Sequence, residues 1–404
     1  MKICRPKCIV LTLLVALLML VSCWSSGGGG SGPLADGGGI GGSGIISNGV
    51  VSAFGSILVN GTEFDTGDAV IIVEGEELGV GDDITRDNLD VGRVVTVKGT
   101  RNDNSFVADR VTYNDNVDGP VESIIDIDAT TKEIVVLGQT VIVNVVTKLK
   151  AIAFDTIAPN DLVEVSGLVD DTGAVWATFL EKTGEFIPGV VVEVKGFVDN
   201  LDTDLETFEI NDLTVDYSLA DTGGLPGGLP TNGLLVEVAG TLDATGGAML
   251  ATKIELENEV DAVNSDEIEI TGFVTDFVSA SEFVVGNQMV QADEDTVYVD
   301  GTAEDIALGV KLEAEGTLVD GVLFAWEIEF WDPDQIEVEG IVTNFVSVFE
   351  FTVGDQVVNT DADTVFEGVA PGDIAVGMKL EIKGVPVDIE HSILVADKVS
   401  LEVN

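Results

Sequence analysis

The chain has 404 residues, with 18 basic and 72 acidic side chains and a formal net charge of −54. A polyanion of this size repels nucleic acid and anionic lipid headgroups, which excludes nucleic acid as an expected partner. Beyond Cys23 there is no cysteine, and His391 is the single histidine, so neither a disulfide framework nor a zinc site of Cys and His can form.

Taken in chain order, residues 1–22 come first. A basic start (Lys2, Arg5, Lys7) is followed by an apolar run from Cys8 to Val21, closing on Leu20-Val21-Ser22-Cys23. That is the order of a secretion signal, and the run is short for a bilayer span of about 20 residues. Its end resembles the lipobox of bacterial lipoproteins, which implies lipidation at Cys23 and a membrane anchored by lipid. Trp24 stands where that family's inner-membrane retention signal would place Asp, so the expected address is the cell envelope, at the outer membrane. Residues 23–45 are dominated by glycine and read as a flexible tether carrying the lipid-bearing cysteine.

The rest is a repeat array. One mark is a glycine opening an apolar strand, at Gly49, Gly119, Gly196, Gly272 and Gly340. A second is a glycine ending an alternating strand, at Gly99, Gly167, Gly240, Gly316 and Gly384. A third is an alanine in the final strand, at Ala108, Ala177, Ala251, Ala325 and Ala396. The boundaries read from these marks are 46–116, 117–186, 187–260, 261–332 and 333–404. The second unit departs at Pro120 and Ala158-Pro159-Asn160-Asp161, and the third carries an insertion from Gly223 to Pro230.

Each unit reads as all-β. Met378-Lys379-Leu380-Glu381-Ile382-Lys383 and Val310-Lys311-Leu312-Glu313-Ala314-Glu315 alternate strictly, the pattern of strands with one buried and one wet face. Five strands fit each unit, with Phe64, Phe208, Phe283 and Phe351 as core anchors, and closing each sheet into a barrel removes its exposed edges. The Gly-apolar-Val start, the Val-Gly turn and the closing Ala strand resemble an uncharacterised bacterial domain family found in tandem in secreted proteins and lipoproteins. The resemblance implies small OB-like barrels and no activity. The expected fold is therefore five OB-like, five-stranded β-barrels in an extended, acidic tandem array.

Candidate chemistry is sparse. His391, beside Ser392, reads as a solvent-facing loop residue and not as part of a triad. Asp293 and Asp295, repeated as Asp361 and Asp363, are the candidate metal ligands, for calcium, but they lack the ligand spacing of a calcium loop and read first as turn residues. All four arginines after residue 22, Arg86, Arg93, Arg101 and Arg110, fall in the first unit. They read as ordinary surface partners of nearby acids, or alternatively as a basic stripe docking on an acidic neighbour. Trp326 and Trp331 are candidate ligand-stacking residues, with packing between units as the plainer role.

With no catalytic set and no cofactor implied, the expected function is a non-enzymatic envelope lipoprotein. Its barrels would act as a spacer or as a binding module for an envelope protein or glycan. The alternative is a calcium-dependent or carboxylate-based hydrolase of the envelope.

Overall fold

Period-two alternation puts Leu380 and Ile382 in the core of the last unit and Lys379, Glu381 and Lys383 on its outer face. A computed structural model describes residues 43–401, apart from 55, 103–104, 243–246, 258–266 and 389. The expected signal, residues 1–22, and Cys23 lie outside the described residues. Among the described residues no helix is long and apolar enough to cross a membrane.

The last unit shows the plan. Ile336–Ser347 pairs antiparallel with Glu350–Val353, which pairs antiparallel with Gln356–Asn359. The third strand then lies parallel to the last, Ile393–Leu401, and Lys379–Pro386 closes the ring between the last strand and the first. The order first, second, third, last, penultimate is that of a five-stranded OB-like barrel. A short additional strand, Val365–Glu367, runs parallel to the last strand.

The other four units repeat this ring. In unit 1 it is made by Ser43–Phe54, Ile57–Val59, Thr62–Asp65, Ser105–Tyr113 and Val94–Asn102. Units 2 and 4 have the same pairings. In unit 3 the first strand is split into Val192–Phe197 and Asp199–Asp202. Between third and fourth strands, unit 1 inserts the hairpin Val70–Val73 and Glu76–Val80 and the helix Asp82–Asn88. Phe64, Phe208, Phe283 and Phe351 are all buried in barrel cores, as expected.

Two of the repeat marks turn out to be one device. Each strand-ending glycine faces the marked alanine across the last two strands, as in Gly167↔Ala177, Gly316↔Ala325 and Gly384↔Ala396. Each pair sits at a β-bulge, which sharpens the twist that closing a small barrel requires. The bulge pushes the partner carbonyl onto the glycine. A Cβ at Gly384 would lie 2.2 Å from the Val395 carbonyl oxygen, and one at Gly99 would lie 2.3 Å from that of Val107. Only a residue without a side chain fits.

Residues 42–404 form one compact unit, which corrects the expectation of an extended array. The physical reason lies in the first strands. In unit 1 the second strand covers only Val51, Ala53 and Phe54, so the outer edge of Ile45–Asn48 is left open. Unit 4 has the same open edge, and the two fill one another as a parallel ladder from Ile45↔Glu267 to Asn48↔Ile270. Units 2 and 3 do likewise, antiparallel, through Asp118↔Glu193 and Val117↔Val194. Unpaired N–H and C=O groups on an exposed edge favour such pairing. Side chains complete the docking: Trp176 of unit 2 packs on Phe273 of unit 4 with ring centroids 5.6 Å apart.

Candidate functional site

The acids singled out in the sequence are turn staples. The Asp293 N–H donates to Thr296 Oγ1 at 2.9 Å, and the Asp295 N–H donates to Asp293 Oδ1 at 2.9 Å. Thr296 Oγ1 in turn donates to the carbonyl of the marked Ala325 at 2.8 Å. Asp361, Asp363 and Thr364 repeat this on Ala396, and Asn144 and Thr147 repeat it on Ala177. Each aspartate pair thus fixes a loop to the last strand of its own barrel.

The arginines divide. Arg86 pairs with Asp83 on the exposed helix, the plain surface reading. Arg110 is exposed on the last strand of unit 1. Arg93 departs from the surface reading. It is 5% exposed and reaches across to unit 2, pairing with Glu164 and, at 3.5 Å, with Glu181. Its guanidinium lies 4.3 Å from the Tyr113 ring centre and 4.5 Å from that of Phe179. Arg101 pairs with Glu267 of unit 4 at 2.6 Å. These two arginines dock barrels on acidic neighbours.

His391 also departs from expectation. It is 8% exposed, and its Nδ1 lies 2.6 Å from Lys148 Nζ of unit 2. Burial, then the neighbouring Lys148, holds its pKa down at about 4. It packs where unit 5 meets unit 2, because the turn after Pro386 is covered by that barrel.

The candidate site follows from the edge rule of the fold. Four first strands have their open edges filled by one another. In unit 5, Ile336–Ile341 pairs on one side with the penultimate strand, and among the described residues no strand pairs with its other side. A cavity of about 580 Å³ runs along that edge. Its wall takes in five consecutive residues, Ile336 to Gly340, so backbone as well as side chains faces it. Opposite stand Val50 to Phe54 of unit 1. Lys148 of unit 2 and Lys311, Glu313 and Trp331 of unit 4 also line it.

Buried charge is concentrated here. Burial pushes Lys148 and Lys311 down to about 8, and burial, against the opposing pull of Lys383, pushes Glu313 up to about 8. Glu337 is also driven well up, by burial first and then by Glu381. Trp331 has Lys383 Nζ 4.2 Å and Lys311 Nζ 5.4 Å from its ring centre. Trp331 Nε1 and Glu337 Oε1 are buried with no hydrogen-bond partner among the described residues. Of the two tryptophans picked out in the sequence, Trp331 reaches this cavity. Trp326 lies outside it, half-exposed, with Nε1 donating to Glu315 at 3.3 Å. Sequence reasoning missed Lys311, Glu313 and Glu337, because strict alternation marks them only as facing away from their own cores.

No curated protein matches this chain. Among solved structures, the one described as "drosophila Unr CSD456" is similar at 15% identity, covering 52% of this chain and 96% of that chain with a TM-score of 0.13. No weight rests on that likeness. A family model matches five times over, at residues 43–112, 118–181, 195–255, 271–329 and 339–400, one match for each barrel. With its alternating strands, Gly–Ala bulges and five β-barrel units, the chain belongs to the family described as "Domain of unknown function (DUF5666)".

Proposed function

We infer that the chain is a lipid-anchored, non-catalytic protein of the bacterial cell envelope that binds an extended segment of a partner protein by strand addition at the first strand of unit 5. The observation that carries this reading is the edge of Ile336–Val338 inside a cavity, which pairs with no strand among the described residues, whereas the other four first strands are each paired there. An added strand satisfies main-chain groups at the edge, and side chains lining the cavity select among sequences. A cavity of this volume accommodates about four residues of peptide, the length of the ladder between units 1 and 4.

A hydrolase is less well supported. Glycoside cleavage needs one ionised and one protonated carboxyl group. Here burial pushes both Glu313 and Glu337 upwards, so this cavity pairs no raised carboxyl group with one held low.

Peptides selected from a random library on the full chain are expected to slow amide exchange at Ile336–Glu339 and to lose binding when alternate peptide nitrogens are methylated. Binding that leaves exchange at this strand unchanged, or turnover of any selected peptide, would overturn the reading. For the anchor, metabolic fatty-acid labelling is expected in the natural chain and absent in Cys23→Ser. Equal labelling of both would remove Cys23 as the acceptor.

A further inference from the structure

A second cavity, of about 640 Å³, lies where units 1 to 4 meet, a volume in the range of small-ligand sites. Its floor is the outer face of the unit 1 barrel. Val111 and Tyr113 of the last strand are buried in that barrel's core, so Arg110 and Thr112 leave it. Asn114 and Asn116 carry the alternation into the connection to unit 2. Across the sheet, Thr112 stands opposite Thr96 and Arg110 opposite Lys98. All of these residues line the cavity, together with Leu168 of unit 2 and Phe197 of unit 3, which is 52% exposed.

The chain carries 72 acidic side chains against 18 basic ones, yet the charged residues lining this cavity are Lys98, Arg110 and Lys195 against Asp170, Asp171 and Glu257. Two of those acids are committed. Asp170 accepts from the Thr172 and Ala174 N–H groups and from Trp176 Nε1, at 2.8, 3.0 and 2.8 Å. Both oxygens of Glu257 accept from Asn114 Nδ2, at 3.0 and 3.1 Å. Lys98 and Lys195 have partners of their own. Arg110 forms no ion pair among the described residues, whereas Arg86, Arg93 and Arg101 each hold an acid. With Lys98 directly opposite, like charges lie side by side, an arrangement that an anion relieves. Neutral groups are open as well. Asn114 Oδ1 is buried with no partner among the described residues. Asn116 is 7% exposed, and its Oδ1 accepts the Gly167 N–H at 2.8 Å, which leaves Nδ2 as its donor.

We propose that this cavity binds a short saccharide bearing a carboxylate, with the acid group on Arg110 and hydroxyls on Thr112, Asn114 and Asn116. The planar fork of a guanidinium matches a carboxylate in a two-bond contact. A sugar hydroxyl both donates and accepts, so it suits a row that offers an acceptor at Asn114 and a donor at Asn116. The C–H face of a sugar ring suits the apolar surface of Phe197 and Leu168. The charge of the whole chain selects against a polyanion, but it acts weakly on one carboxylate, since exposed charges beyond about 8 Å are screened at physiological salt. This site shares no charged residue with the edge cavity of unit 5, and it stands whether or not a strand binds there.

The test is calorimetric titration of the full chain with di- and trisaccharides containing glucuronate, galacturonate or N-acetylmuramate, with their neutral counterparts, and with acetate and inorganic phosphate. Saturable binding of an acidic saccharide is expected, about tenfold or more tighter than its neutral counterpart or either small anion. Arg110→Gln is expected to weaken that binding about tenfold or more, and Thr112→Val about threefold or more. Arg110 is exposed and holds no acid, so the melting midpoint of Arg110→Gln should match the parent's, which separates lost binding from lost folding. The site is overturned if no acidic saccharide binds at about millimolar concentration or if Arg110→Gln binds undiminished. Equal binding of the neutral saccharide would remove the role of Arg110, and equal binding of acetate or phosphate would leave an anion spot without saccharide recognition.

Discussion

Arg93→Ala is expected to lower the stability of the folded chain by about 3–5 kcal/mol. Arg93 occupies the backbone position held by Val310 in unit 4 and Met378 in unit 5, as the carbonyl of each accepts the same first-strand N–H. In those units the side chain packs on its own barrel. In unit 1 it leaves the barrel, lies between the Tyr113 and Phe179 rings, and meets Glu164 and Glu181 of unit 2. Truncation removes that packing and leaves Glu164, already accepting the Tyr113 hydroxyl at 2.8 Å, without its cation. An uncompensated carboxylate in a partly buried interface is the larger part of the cost. Arg86→Ala is the control, since its exposed pair is worth well under about 1 kcal/mol. Denaturant unfolding of both variants separates the cases. Equal losses would show that Arg93 does not hold the two units together. A double-mutant cycle with Glu164→Gln should give a coupling of about 2 kcal/mol or more.

The barrels were legible in the sequence because their signals are local. Alternation at Lys379 to Lys383 reports which side of a strand faces its own core. The glycine and alanine marks report a bulge between strands that are neighbours in the chain. The docking of barrels was not legible in this way. Lys311, Glu313, Glu337 and Glu339 have the pattern of a wet face, yet each is turned towards another unit or the cavity between units. Period-two patterning says only that a side chain leaves its own core, not whether water or another barrel meets it. His391 misled for the same reason, as a polar turn becomes buried only when a second barrel covers it. The confinement of arginine to unit 1 was one sequence signal of docking, and it found Arg93 and Arg101; the tryptophans were another, and Trp331 meets Lys383 of unit 5. The paired aspartates sit in turns, their first reading in the sequence, although residues that favour metal loops also favour such turns.

The same buried face predicts how stability responds to pH. Glu313 is raised from 4.5 to about 8, chiefly by burial, with Lys383 opposing and Glu329 adding to the shift. Thr271 donates to it at 3.1 Å, and Glu315 faces it from its own strand. Glu337 and Glu269 are raised too, by burial and then by Glu381 and Glu313 respectively. In the unfolded chain such groups ionise near 4.5, whereas the folded chain keeps the Glu313 proton until about pH 8. The stability that Glu313 contributes is therefore complete below pH 4.5 and is lost as pH rises to about 8. His391 acts in the opposite sense. Its pKa falls from 6.5 to about 4, so its contribution is complete above pH 6.5 and is lost on acidification. Lys148 and Lys311, lowered to about 8, begin to add stability only above that pH. Between pH 6.5 and 8 the buried glutamates are thus left to set the slope. Glu313 alone is expected to lower stability by about 1.4 kcal/mol per pH unit across that window. Glu313→Gln, which keeps the shape and removes the titration, is expected to flatten the slope measurably. A midpoint that rises from pH 6.5 to 8, or a slope unchanged in that variant, would mean that Glu313 is ionised in the folded chain and that the face between units 4 and 5 is wet.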